Sequence, residues 1–215
     1  MPRPDGITLP VQLVVEGNDQ RNFLGKFMER MSLTGVQIQN FGGVTELRAF
    51  LAALANEPEF DDVVERLGIV RDAETNAEGA FESVQHSLRN AGLPIPERPE
   101  EFAKGQPAVS VLILPGGGRA GMLETLVCES FAGDPVDDCI DEFFECIDKG
   151  SIRNPDKARV FAYLTTTSGP HHSVGVAAQQ GQWDLDHPAF DAVRRFLDEL
   201  ASGAQTAGTL GARSK

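Results

Sequence analysis

Short apolar runs that end on turn residues, each followed by an amphipathic segment, constrain the fold of this chain most. In the first, Val11–Val15 ends on Glu16 and Gly17, and Leu24 and Phe27 then follow at helical spacing. A β-branched apolar run of this length is typical of a buried strand, and the spacing after it is typical of a helix. We therefore predict a strand with Glu16 at its carboxyl end, followed by a helix over about residues 19–31.

The same pattern recurs three times along the chain. Strands are predicted at residues 36–41, 67–70 and 109–114, and helices at residues 44–54, 80–88 and 122–131. Strands that alternate with helices indicate βαβ units, hence an α/β fold with a mainly parallel four-stranded sheet and helices on both faces. Because parallel strands end at one edge of a sheet, the residues that follow them should cluster there. Asn18 and Asp19 are predicted to cap the first helix.

The remaining residues predict an all-helical C-terminal part. Helical patterns occupy about residues 136–148, 155–164 and 189–200, and the last residues are rich in Gly, Ala, Ser and Thr. We predict an α/β core over residues 10–132, a C-terminal helical extension packed on it over 133–201, and a disordered tail over 202–215.

Composition limits the classes of partner. The formal net charge of -13 argues against broad, sequence-independent binding of nucleic acid through its phosphates, although it leaves room for a divalent cation that bridges carboxylates to phosphate. No apolar run approaches the roughly 20 residues that span a bilayer, so no membrane partner and a cytoplasmic location are expected. Cys128, Cys139 and Cys146 match no zinc pattern and are expected to be reduced structural thiols. His171-His172 is predicted to lie in a surface loop.

Three carboxylates follow two of the predicted strands. Glu16 follows the first, and Asp72 and Glu74 follow the third, two residues apart. Residues i and i+2 of a strand point the same way, so Asp72 and Glu74 can converge. Carboxylates placed together raise the pKa of at least one of them unless a cation neutralises them, and Mg²⁺ or Mn²⁺ suits such oxygen ligands. A solvated turn is the alternative interpretation of the pair.

Four short motifs together resemble the Toprim domain, the Rossmann-like fold shared by topoisomerases, bacterial primases and the overcoming-lysogenisation-defect nucleases. The resemblance covers about residues 10–130. Over this range the chain is similar to small, poorly characterised Toprim-like proteins related to those nucleases. Its motifs are Leu13–Gly17 with Asp19, Phe41–Gly43, Gly68–Glu74, and Leu114-Pro115 with Gly121–Glu124.

The resemblance implies a role for each matching residue. Glu16 would be a metal ligand or general acid–base, and Asp72 the first metal-binding aspartate. Glu74 stands where the family usually has a second Asp, which puts two-metal geometry in question. Glu124 would be a further metal ligand, with an exposed helix residue as the alternative, and Lys157 would be a catalytic basic residue. Arg71 and Arg119 are further cations that could stabilise developing charge.

Two classes of function follow from these residues and the resemblance. The first is a Mg²⁺- or Mn²⁺-dependent, nuclease-like phosphodiesterase that acts on nucleic acid, with water activated at Glu16, Asp72 and Glu74. The alternative is a non-catalytic Toprim-like module that binds a metal or a nucleotide, or a subunit of a larger, defence-type complex whose ATPase lies on another chain.

Overall fold

The computed structural model of the chain describes residues 3–147, 152–167, 169 and 173–202. Its four strands are β1 Val11–Val15, β2 Val36–Asn40, β3 Arg66–Asp72 and β4 Ala108–Leu114. Its helices are α1 Gly17–Arg30, α2 Leu47–Leu54, α3 Phe60–Val63, α4 Ala77–Asn90, α5 Leu123–Ser130, α6 Pro135–Glu145, α7 Pro155–Thr165, α8 Val174–Gln179, a 3-10 turn Pro188–Phe190, and α9 Asp191–Ser202.

The strands form one parallel sheet in the order β2-β1-β3-β4. All five residues of β1 are buried, as are five of the seven in β3, because these two strands lie in the middle of the sheet. This burial explains why the sequence shows apolar runs rather than alternation there. The predicted α/β fold, with a parallel four-stranded sheet and further helices in the C-terminal part, is confirmed.

Each face of the sheet is covered by helices and has its own hydrophobic core. On one face, Val14, Ile69 and Val111 pack with apolar residues of α2 and α4. On the other, Val15, Val70 and Leu112 pack with residues of α1, α5 and α7 to α9. Helices α7 to α9 therefore share one core with the sheet.

Helix α9 lies directly against the middle of β3. A methyl group added at Gly68 would come within 2.5 Å of Leu200 Cδ2. Glycine at this position of β3 therefore lets the last helix approach the sheet closely.

Three local predictions are corrected by the structure. Helix α1 begins at Gly17, with Glu16 as its N-cap residue, so Asn18 and Asp19 lie in its first turn instead of capping it. Helix α8 was not predicted, because six residues give too short a periodic pattern. Ser202, predicted to begin the tail, is the last residue of α9. The rest of that tail and His171-His172 lie outside the described residues.

The thiols and the helix lengths bear on two predictions made from composition. The three cysteines are free, Cys128 being partly buried and the other two exposed. Within the described ranges, none of the helices combines the length and the apolarity that crossing a membrane requires.

Candidate functional site

A cleft of about 540 Å³ opens at the carboxyl ends of β1 and β3. This is the edge at which open α/β sheets bind ligands. The first residues of α1, α5, α7 and α8, or the residues just before them, line the cleft, so four helix N-termini face it. Its lining residues are Glu16 to Gln20, Asn22, Asp72, Glu74, Met122 to Glu124, Asn154, Lys157, Ser173 and Val176.

Glu16 stands between β1 and α1 with its carboxyl group half-buried. Within the described part of the chain, its Oε2 atom is buried and has no hydrogen-bond partner. Burial raises the pKa of this carboxyl group above its ordinary value, and the charge of Glu74 raises it further. Arg71 and nearby backbone N–H groups, including that of Asp72, lower the pKa in part.

Asp72 ends β3 beside Glu16 and is the most perturbed carboxyl group of the cleft. Burial, followed by the charges of Glu16, Glu124 and Glu74, raises its pKa to about 8. The backbone N–H of Leu123, the first residue of α5, donates to Asp72 Oδ1 at 3.1 Å and opposes this rise. Asp72 therefore lies where negative charge is concentrated and a cation is favoured.

Glu74 lines the cleft but lies beyond the end of β3. Its backbone has a φ of 54° and exchanges two hydrogen bonds with Gly121, and its side chain is exposed. The alternation of side chains in a strand thus stops at Asp72. The strand alternation from which convergence of the two carboxylates was predicted therefore does not apply, although both residues line the cleft.

Glu124, in the first turn of α5, is buried, with only 6% of its surface exposed. Its Oε1 atom lies 3.4 Å from Nζ of Lys157 in the first turn of α7. The alternative interpretation of Glu124 as an exposed helix residue is therefore wrong. Lys157 lines the cleft, and its ammonium group, half exposed, partly neutralises a buried carboxylate.

These carboxylates do not form a preassembled metal site. Among the described residues, no three His, Cys, Asp or Glu side chains are placed so that they could hold a metal ion together. The oxygen donors nevertheless suit Mg²⁺ or Mn²⁺, because Mg²⁺ commonly uses one or two carboxylates and completes its shell with water and substrate phosphate. A cation bound here would neutralise negative charge on Asp72 and on the half-buried Glu16, whose Oε2 atom has no hydrogen-bond partner among the described residues.

The two other predicted cations stand outside the cleft. Arg71 is buried against the α4 side of the sheet, where its Nη1 donates to the carbonyl of Ala80 at 3.3 Å. Arg119 pairs with Glu129 on the surface. In the structure, neither residue lines the cleft beside Asp72.

The sequence interpretation missed Gln20, Asn154 and Ser173, which also line the cleft. Gln20 could have been noticed, because it precedes Phe23, Leu24 and Phe27 on the buried stripe of α1 and is polar. Asn154 and Ser173 cap α7 and α8 through their side chains, which is a common role for these residue types. Nothing in their local sequence links them to the first strand.

Comparison with known proteins supports the fold and identifies the family. No curated protein matches the chain. The solved C-terminal region of the OLD protein of Xanthomonas campestris pv. campestris is similar, with a TM-score of 0.52 and 13% identity over 93% of this chain and 98% of that one. At this identity the likeness concerns the fold alone. The model of the family described as "Protein of unknown function (DUF3226)" matches residues 10–202, so the chain belongs to that family.

Proposed function

We propose that the cleft binds a divalent cation and hydrolyses phosphodiester bonds of nucleic acid. The observation that carries this proposal is that perturbed carboxylates and the amino ends of α1, α5 and α7 share one cleft at the carboxyl edge of the sheet. Such a site has the oxygen ligands for a cation and the partial positive charges for a phosphate group. The similar fold of the OLD protein region is compatible with the Toprim-like resemblance of the sequence and adds no activity.

Asp72 is the residue we assign to the cation, with Glu74 and Glu124 beside it. Negative charge from Glu16 and Glu124 acts on Asp72 and helps to raise its pKa, and a cation would reverse that effect. When bound, Mg²⁺ or Mn²⁺ would polarise a phosphoryl oxygen and lower the pKa of water. Glu74 is exposed and therefore free to turn toward an ion with little packing to disturb.

The phosphate group would be held by the helix ends and by Lys157. A helix N-terminus carries unpaired N–H groups and roughly half a positive charge, which favours an anion. The first turns of α1 and α7 line the cleft, as does the ammonium group of Lys157. These groups would offset the repulsion between a nucleic acid and a chain of net charge -13.

Glu16 is the residue we assign to proton transfer. Its pKa is raised by burial, and a carboxyl group whose pKa is raised toward neutral pH transfers protons more effectively. Its Oε2 atom, which has no hydrogen-bond partner among the described residues, would accept a proton from the attacking water, and solvent water would protonate the leaving oxygen on the opposite side of the phosphorus. Lys157 would stabilise charge that develops on the phosphoryl group.

The test is the nicking of supercoiled plasmid and the cleavage of single-stranded DNA and RNA in Mn²⁺. We expect cleavage by the wild-type protein and a loss of at least about a hundredfold in Glu16→Gln and Asp72→Asn, in the range typical for general acid–base groups. Glu78→Gln, an exposed carboxylate outside the cleft in the first turn of α4, is the matched control and should cleave normally. Equal inactivity of all four proteins on every substrate would refute the proposal.

A second function, a non-catalytic module that binds a metal or a nucleotide, is favoured by one observation. In the described chain no three acidic side chains are placed to hold a metal ion, and Glu124 is already engaged by Lys157. Calorimetric binding of Mn²⁺ or a nucleotide without turnover would select this function. An ATPase carried by another chain would then be the partner, and activity that appears only after it is added would support that assembly.

A further inference from the structure

Gln20 is a buried amide whose two ends differ in their hydrogen bonding. Only 2% of its surface is exposed, and its Oε1 atom accepts a hydrogen bond from the backbone N–H of Glu16 at 2.9 Å. Because a backbone N–H can only donate, this contact fixes which end of the amide is oxygen and which is nitrogen. The Nε2 atom is buried and, among the described residues, has no partner. A buried donor without an acceptor is rare and costs free energy.

The amino end of α1 provides further donors next to Gln20. This helix has 14 residues, and no side chain caps its first turn in the described structure. Its first residues, Gly17 to Gln20, all line the cleft. The N–H of Gly17 is taken by Asn40 Oδ1 at 2.8 Å, and that of Gln20 begins the hydrogen bonding of the helix, so the N–H groups of Asn18 and Asp19 are the ones that the start of the helix leaves without an i→i−4 partner. The unpaired N–H groups at the start of a helix bind an oxygen that accepts hydrogen bonds. The unpaired amide nitrogen of Gln20 needs the same kind of partner.

The chemistry of an amide nitrogen separates Gln20 from the carboxylates around it. An NH₂ group has two donors and no lone pair to offer, so Nε2 cannot ligate a cation. The cleft therefore has two subsites, one of carboxylates for a cation and one of donors for an anion. The carboxylates Glu16 and Asp72 belong to the first subsite, and Gln20 with the start of α1 belongs to the second.

We infer that Gln20 and the amino end of α1 anchor a phosphate ester in the cleft by donating to one of its non-bridging oxygens. The inference rests on the proposed function, since it names the part of the same cleft that holds the ligand. Gln20 is here a binding residue whose donors favour an anionic oxygen over a cation.

The decisive variant is Gln20→Glu, which keeps an oxygen for the N–H of Glu16 and replaces the donor end with a second, negatively charged oxygen. In EDTA and again in Ca²⁺, we expect this variant to bind a fluorescent single-stranded oligonucleotide at least about tenfold more weakly than wild type, because it loses a charge-assisted hydrogen bond. Calorimetry should show the opposite change for Mn²⁺, with tighter binding, because a carboxylate has been added beside Glu16. Because the added charge by itself moves both affinities in these directions, an uncharged variant is needed to separate the loss of the donor from the gain of charge.

Gln179→Glu and Gln20→Met are the matched controls. Gln179 is exposed on the neighbouring helix α8 and outside the cleft, so its variant adds the same charge and should leave both affinities within about twofold of wild type. Gln20→Met removes the donor without adding charge. It should weaken the binding of the oligonucleotide and leave the affinity for Mn²⁺ unchanged. It also keeps the test decisive if Gln20→Glu does not fold.

The outcomes separate this inference from the proposed function. Unchanged oligonucleotide binding in both Gln20 variants overturns the anchor, even if the wild-type protein binds Mn²⁺ and cleaves. Absence of oligonucleotide binding by the wild type in EDTA and in Ca²⁺ alike also overturns it. A wild type that neither cleaves nor binds Mn²⁺, but whose oligonucleotide affinity falls in both variants, refutes the proposed function and supports the anchor.

Discussion

At the scale of single residues, Asp72 has the largest electrostatic consequence for stability. Its pKa is raised from 3.8 to about 8, chiefly by burial, so the folded protein binds this proton more tightly than the unfolded chain. The stabilisation from this proton is complete below the unfolded pKa and is lost as the pH rises through the folded value. In the absence of a divalent cation, the protein should therefore lose stability between about pH 4 and about pH 8.

The substitution Asp72→Asn should remove this loss of stability at rising pH. The amide oxygen of Asn can still accept from the N–H of Leu123, and it carries no charge at any pH. At about pH 9 in EDTA we expect the variant to exceed wild type in unfolding free energy by on the order of 2 kcal/mol, with the gap closing toward about pH 4. Urea unfolding across this pH range measures the difference. A constant gap at all pH values would show that Asp72 titrates normally.

Lys157 supports the buried carboxylate of Glu124. Nζ of Lys157 lies 3.4 Å from Oε1 of Glu124, but the side chain of Lys157 is 48% exposed, so solvent screens the pair. Lys157→Met should lower the unfolding free energy by about 1 kcal/mol at neutral pH, because Glu124 stays buried without its cation. Glu124→Gln in the same background should restore most of the loss, and chemical denaturation of the four proteins of this cycle measures the coupling. A coupling of zero would contradict a stabilising role for the pair.

At the scale of elements, the packing of α8 on α1 forms one wall of the cleft. A methyl group at Gly175 would come within 2.5 Å of the carbonyl oxygen of Asp19 and 2.7 Å of Asn22 Cβ. The N–H of Gly175 also donates to Asp19 Oδ1 at 3.2 Å. The close approach of the two helices therefore depends on a residue without a side chain.

Gly175→Ala should destabilise the protein by about 1–3 kcal/mol, because the backbone of α1 cannot move out of the way of the added methyl group. Gly25→Ala is the matched control on α1 itself, where a methyl group meets nothing within 4 Å. That variant should stabilise by roughly 0.5–1 kcal/mol, since alanine is the better helix residue. Thermal unfolding of both proteins measures the changes, and equal melting temperatures would refute the proposed contact.

At the scale of the whole molecule, helices α7 to α9 join α1 and α5 in covering one face of the sheet. Val15, Val70 and Leu112 are fully buried, and the same core contains Phe190 and Leu197 from beyond residue 133. A chain ending at residue 132 would leave this core only the cover of α1 and α5 and would expose the apolar surface that α7 to α9 bury. We expect it to lack cooperative thermal unfolding by circular dichroism, whereas the chain of residues 1–202 should unfold cooperatively. Cooperative unfolding of the shorter chain would instead support an independent core over residues 10–132.

The sequence by itself determined the order and type of the elements and the parallel sheet. Buried central strands are mostly apolar, and the helices that cover them carry one apolar stripe, so β1, β3 and α1 are visible in local patterns. The placement of Glu16 and Asp72 at one edge followed from the same patterns, because parallel strands end together. Helices α3 and α8 and the exact start of α1 were missed, because short helices and helix ends leave weak local signals.

Only the tertiary structure decided how the side chains around Glu16 are used. The chain turns at Glu74 through a positive φ and pairs with Gly121, which no local period reveals. The contact of Lys157 with Glu124 and the burial of Gln20 depend on how the C-terminal helices and α1 pack, over distances in sequence that local propensity does not reach. The strand that ends at Glu16 was fixed by local chemistry, whereas its cleft was assembled by packing between distant parts of the chain.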